Sequence, residues 1–256
     1  MKSRYYPTLF LIWSAFINLL KYFKNVLSWS LKQFVSLAHK VIVDLILTMT
    51  KTTFVFDFDG TLVDSFAVFT EVFNQLKYEF GRDEIEFTSL DSCRQFTLTQ
   101  LIKKHHISKW QVLKLVRRIN EEIEKRIEQI DFYPNVEKVL KKLAEKNIYL
   151  ILLSSNSLAT IEQFLHLHPK VNFKSIYTGA GLFNKQRKLK TMLKKQNLTK
   201  EEVLYFGDQV RDIQACQKIG VDVCAVSWGF NTKEILAKHQ PTYLINQLQE
   251  IIDLLN

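Results

Sequence analysis

Cysteine is scarce in this chain, with three residues in 256: Cys93, Cys216 and Cys224. Their number is odd and their spacing fits no metal-ligand pattern, so they read as reduced thiols of a cytosolic protein. No cluster of histidine and cysteine offers zinc a site. No charge-free apolar run near the start reaches the length of about 20 residues that a membrane span needs, residues 5–20 falling short. No small-residue cleavage site follows the early apolar stretch, which argues against a secretory signal. Nor is there a stripe of arginine interleaved with aromatics, so the net charge of +9 does not indicate a nucleic-acid partner. That charge is unevenly spread. In residues 1–48, Lys2, Arg4, Lys21, Lys24, Lys32 and Lys40 face Asp44 alone, leaving a mildly basic remainder.

What is present suits a folded protein. The chain is 47% hydrophobic and 24% charged, and is long enough for one large domain or a core with an insert. The first fifty residues differ in kind from the rest. Ser14, Asn18, Lys21, Asn25, Ser28, Lys32, Ser36, Lys40 and Asp44 recur at steps of three or four, along one side of a helix. Such a helix must bury most of its circumference. One reading is peripheral membrane contact through residues 8–47, with Trp13 and Trp29 near the headgroups. Another is packing on the body or on a second subunit. A third takes Met49 as the true start.

Beyond residue 50 the chain reads as alternating strands and helices. Thr53-Phe54-Val55-Phe56 is an apolar run that reads as a buried strand. Residues 66–80 and about 95–130 look helical, broken near Gly81-Arg82-Asp83, with Ser108 capping the helix that follows. Pro134 stops the helical stretch. Helices are then expected over 135–146, 157–167, 188–196, 210–219, 232–239 and 247–255. Strands are expected over 148–153, 175–178, 203–206, 221–226 and 243–245. All-apolar strands alternating with helices imply a parallel sheet covered on both faces. The domain reading is therefore an amino-terminal helical segment (1–50), an α/β core (51–65 and 133–256) and an inserted helical cap (66–132).

The chemistry concentrates at Asp57-Phe58-Asp59-Gly60-Thr61, directly after the first strand. An unpaired ionised carboxylate at the end of a buried strand is costly. A divalent cation with oxygen ligands, most simply Mg²⁺, shared with a substrate phosphate resolves that cost. In open α/β sheets ligands bind at the carboxyl ends of strands, where these acids fall. Three further stretches converge there in a parallel sheet: Ser154-Ser155-Asn156, Lys185-Gln186-Arg187-Lys188, and Gly207-Asp208-Gln209-Val210-Arg211-Asp212.

On these motifs residues 52–250 resemble the haloacid dehalogenase superfamily of phosphohydrolases, and within it the phosphoglycolate-phosphatase-like branch with a small helical cap. The resemblance implies a Rossmann-like sheet and an Mg²⁺-dependent phosphatase acting on a small phosphorylated metabolite through an aspartyl-phosphate intermediate. It implies Asp57 as nucleophile and Asp59 as general acid and base. An Asp at the second position favours phosphate esters over carbon–halogen or carbon–phosphorus bonds. Ser155, Asn156 and Gly60 would bind the phosphate, with Ser154 an alternative hydroxyl or a helix cap. Lys185 would offset the phosphoryl charge, with Lys188 its rival. Asp57, Asp59, Asp208 and Asp212 would hold the metal, Asp212 otherwise orienting the lysine or serving as a helix-end charge. Asn135 departs from the glycine common at its position. The basic cluster Lys103, Lys104, His105 and His106 reads as a solvated helix end or as a contact for an anionic substrate. Alternatives to hydrolysis are a phosphomutase of the same fold and a membrane-recruited, non-catalytic binding module.

Overall fold

The computed structural model describes residues 51–76, 94–104, 106–179 and 184–255. The expected amino-terminal helix, the break near Gly81, Cys93 and His105 lie outside these residues.

Six parallel strands form one sheet: β1 (Thr53–Phe56), β2 (Tyr149–Leu153), β3 (Ser175–Tyr177), β4 (Val203–Gly207), β5 (Asp222–Val226) and β6 (Tyr243–Ile245), in the order β3-β2-β1-β4-β5-β6. Every residue of β1 is buried, as its unbroken apolar sequence requires of a central parallel strand. It pairs with β2 on one side and β4 on the other, Phe56 lying opposite both Leu152 and Phe206. The carboxyl ends of β1, β2 and β4 are therefore neighbours at the point where the strand order reverses, which is where ligands of open α/β sheets bind.

Successive side chains of these strands point to opposite faces, and two cores result. On one face Phe54, Phe56, Leu152 and Phe206 pack with residues of α4 (Val136–Glu145), α5 (Leu158–Leu167) and α9 (Glu250–Asp253). Phe56 and Phe206 stack with ring centroids 4.7 Å apart. On the other face Val55, Ile151, Leu153 and Tyr205 pack with α6 (Lys185–Gln196), α7 (Val210–Gln217) and α8 (Lys233–Lys238). Full burial of each such side chain contributes about 1.5–3 kcal/mol.

The helical stretch expected over about 95–130 holds two helices, α2 (Leu98–Lys104) and α3 (Lys109–Lys125), parted around His106 at a φ of 49°, with the second starting at the expected cap, Ser108. Ser108 then caps α3, its Oγ accepting from the Gln111 N–H at 3.3 Å while the Gln111 side chain accepts from the Ser108 N–H. A 3₁₀ turn, Ile127–Gln129, follows α3, and α1 (Phe66–Leu76) packs against α3. Asn135 precedes α4 at a φ of 72°, a left-handed conformation that asparagine tolerates better than most residues, which accounts for its standing where glycine is common. α6 begins at Lys185 rather than Lys188, and α9 is shorter than the expected 247–255.

Candidate active site

Asp57 continues the β1 ladder, its N–H donating to the Phe206 carbonyl at 2.9 Å, and it is 1% exposed. The chain then turns sharply. Gly60 has a φ of 73°, and its N–H donates to the Val63 carbonyl at 2.9 Å. That donor is thereby engaged inside the turn. What Gly60 provides is room, because a Cβ there would lie 2.2 Å from Asp208 Oδ2.

Asp208 ends β4 and is fully buried. Its Oδ1 accepts from the Thr61 hydroxyl at 3.0 Å and its Oδ2 from the Phe230 N–H at 2.7 Å. Burial, followed by repulsion from Asp212 and Asp57, pushes its pKa up to about 8. Asp212 lies in the first turn of α7, where its Oδ2 accepts from the Gln209 N–H at 3.0 Å. Gly207 permits this approach, since a Cβ there would meet the Asp212 carboxylate at 2.7 Å. Burial raises the Asp212 pKa against the pull of Lys185.

Lys185 joins the cluster from α6. Its ammonium lies 2.5 Å from Asp57 Oδ2 and also donates to Asp212 Oδ1, and it is 3% exposed. Burial opposes its charge, but Asp212 and Asp57 outweigh burial and hold its pKa above the ordinary lysine value. The structure thus brings Lys185, and not Lys188, onto the two carboxylates. Asp212 combines two of its expected roles, orienting the lysine and closing the helix start.

The Asp59 carboxylate takes a different course. Its Oδ2 accepts from the Asn156 side-chain amide at 2.8 Å. Burial, then the neighbouring Asp57 charge, lifts its pKa to about 6. The carboxylates that gather within 4.8 Å of one another are those of Asp57, Asp208 and Asp212. The Asp59 carboxylate is not among them: its side chain leans toward the end of β2. Three buried oxygen donors, two with pKa values raised chiefly by burial and further by neighbouring carboxylates, form the hard, anionic set that Mg²⁺ requires, and the residues fit that ion.

Ser154 and Ser155 divide their roles. Ser154 is fully buried and its Oγ accepts from the Asn156 N–H at 3.0 Å, so it shapes the turn. Ser155 is half-buried and opens onto a cavity of about 180 Å³, whose floor also includes Asp59 and Asn156 and whose walls include Phe66, Phe69 and Ile119.

The loop after β5 has no role in the sequence reading, yet it braces the site. A Cβ on Gly229 would stand 2.2 Å from the Gly60 carbonyl. Trp228 Nε1 donates to the Thr61 carbonyl at 3.0 Å, and Asn231 Oδ1 accepts from the Val210 N–H at 3.0 Å. The same loop holds the start of the helical stretch: Arg94 Nη2 donates to the Ser227 carbonyl at 2.7 Å, and the Thr232 N–H donates to the Arg94 carbonyl at 3.2 Å. The only local signal is a glycine between aromatics at a strand end.

Residues 54–226 match the sequence profile of the haloacid dehalogenase-like hydrolases. The phosphoglycolate phosphatase of Synechococcus elongatus is 29% identical over 199 residues, covering 77% of this chain and 94% of its own. The pyrophosphatase PpaX of Oceanobacillus iheyensis is 24% identical over 222 residues, covering 80% of this chain and 96% of its own. A haloacid dehalogenase-like hydrolase from Streptococcus pneumoniae shares the fold with a TM-score of 0.66 at 21% identity, over 81% of this chain and 100% of that one.

Proposed function

Because this chain belongs to the haloacid dehalogenase-like hydrolases, we propose that it hydrolyses a small phosphate monoester, of the phosphoglycolate kind, through an aspartyl-phosphate intermediate. The observation that carries the reading is the pairing of Asp57, at the end of β1, with the buried Lys185 ammonium 2.5 Å away. An Asp57 oxygen attacks phosphorus as the ester P–O bond breaks, and Asp59 gives its proton to the leaving oxygen. Asp59, now a carboxylate, takes a proton from the water that attacks the acyl phosphate, which frees inorganic phosphate and restores Asp57. A pKa of about 6 suits a group that must hold a proton in one step and lack it in the next.

Lys185 offsets the negative charge that builds between Asp57 and the phosphoryl group. Ser155 and the turn at Asn156 supply donors to phosphoryl oxygens. Asp57, Asp208 and Asp212 would hold Mg²⁺, which when bound supplies charge neutralisation and polarises a phosphoryl oxygen. The helical stretch 66–132 acts as the cap, since α1 and α3 provide walls of the cavity above Asp59. The relatives' names, phosphoglycolate phosphatase and pyrophosphatase, favour hydrolysis over a mutase, and both name compounds with a second anionic group.

The test is turnover of a panel of phosphate esters, with and without Mg²⁺, by the wild type and Asp57→Asn. Asp57→Asn abolishes phosphate release while unfolding cooperatively; residual turnover near the wild-type rate refutes the nucleophile. Transfer of the phosphoryl group to a sugar hydroxyl rather than water would favour the mutase. For residues 8–47 the proposal is membrane-surface contact, tested by sedimentation of the full chain with anionic vesicles, and a chain that stays in solution removes it.

A further inference from the structure

Arg211 stands in the first turn of α7, between Asp208 and Asp212 in sequence. Its Nε and Nη1 are buried and meet no hydrogen-bond partner. Leaving buried donors of a charged group unpaired is costly, so a protein that keeps them has an acceptor to receive. Charge balance alone does not explain them. Burial opposes the guanidinium charge and Asp212, Asp57 and Asp208 support it, yet none of these acids takes a hydrogen bond from Nε or Nη1.

Arg211 lines a cavity of about 440 Å³ that adjoins the apolar one above Asp59, Gln209 and Asn231 lining both, and Lys185 lines it as well. Lys103 from α2, Lys218 and His239 add to its wall, and no carboxylate belongs to its described lining. Within the basic cluster of residues 103–106 the structure therefore separates two lysines. Lys103 faces this cavity, whereas the Lys104 ammonium sits 4.9 Å above the Phe96 ring. The result is an electropositive chamber that borders the active-site cavity at Gln209 and Asn231 and reaches the nucleophile through Lys185, the lysine on Asp57.

Resting on the phosphatase reading above, we propose that Arg211, with Lys103, is the subsite for a second anionic group of the substrate, a carboxylate or a second phosphate. The planar guanidinium presents parallel donors that match either group, and a lysine opposite adds charge without fixing orientation. The enzyme then selects doubly anionic phosphate compounds over esters whose leaving group is uncharged, and the selection resides chiefly in KM.

The experiment compares kcat/KM for 2-phosphoglycolate, pyrophosphate and 4-nitrophenyl phosphate in the wild type, Arg211→Met, Arg211→Lys and Lys103→Gln. Arg211→Met lowers the preference for a doubly anionic substrate over 4-nitrophenyl phosphate by about 10-fold or more, through KM, and Arg211→Lys recovers part of it. A loss confined to 2-phosphoglycolate assigns the subsite to a carboxylate, and one confined to pyrophosphate assigns it to a phosphate. An unchanged preference in Arg211→Met overturns the subsite. If that variant fails to fold, an unchanged preference in Lys103→Gln, altered at an exposed side chain, overturns it instead. A wild type that hydrolyses none of the three overturns the phosphatase reading itself, and the subsite with it.

Discussion

Asn156 donates its side-chain amide to Asp59 Oδ2 at 2.8 Å, tying the end of β2 to the end of β1 across 97 residues of chain. The bond holds one oxygen of the acid and favours its ionised form, opposing the burial that lifts its pKa to about 6.

A pH dependence follows. With a poor leaving group, when protonation by Asp59 limits the rate, kcat falls as pH rises through about 6, where the proton is lost. Asn156→Ala removes a donor to the carboxylate, raises the pKa further and moves this limb to higher pH. Asp59→Asn lowers kcat by about 10²–10⁴-fold and erases the limb. Steady-state pH–rate profiles decide, and a limb that persists in Asp59→Asn assigns it to another group.

Lys185 neutralises two buried acids at once. Lys185→Met leaves Asp57 and Asp212 without their cation and costs about 3–5 kcal/mol of stability, read from denaturant midpoints. Lys188→Met, one helical turn on and outside the cluster, costs less than about 0.5 kcal/mol. Equal losses would return the two lysines to rivalry.

Gly60 has no room for a methyl group. In Gly60→Ala the new Cβ overlaps Asp208 Oδ2 and the Phe230 ring, while the left-handed backbone adds about 1–2 kcal/mol. Thermal unfolding shows a lower Tm and a weakened response to added Mg²⁺, because Asp208 is displaced. A variant with the wild-type Tm shows that the turn can relax.

Tyr205 carries a fully buried hydroxyl with no partner. Tyr205→Phe removes an unsatisfied group without removing packing, so stability is unchanged or rises by about 1 kcal/mol. A loss of stability on that scale would reveal a bond that the hydroxyl makes in solution.

The strands were legible because each is an apolar run closed by a polar turn, and β1, β2 and β4 end where the motif residues begin. Asp57, Lys185, Asp208 and Asp212 were named together through the family resemblance, with Lys188 left as a rival to Lys185, and strand-end acids at one sheet edge supplied the electrostatic reason for a cation among them. The direction of Asp59 was not legible, since which neighbour its carboxylate meets depends on how β2 ends beside β1. The start of α3 was legible in the capping serine, Ser108, whereas the end of α2 was not, because the turn between them rests on one left-handed residue, His106. Gly229 was passed over for a like reason: its small size matters only against the Gly60 carbonyl, 169 positions away in the chain. Arg211 had no assigned role in the sequence, because burial of its donors away from any acceptor is a property of the fold.

The loop after β5 grips two things, the Asp208 carboxylate through the Phe230 N–H and Arg94 of the helical stretch through Ser227 and Thr232. Roof and floor of the cleft thus hang from a single bracket. Six consecutive residues, 227–232, carry both attachments, so a substitution that shifts this backbone disturbs the wall of the cleft and the acid beneath it together.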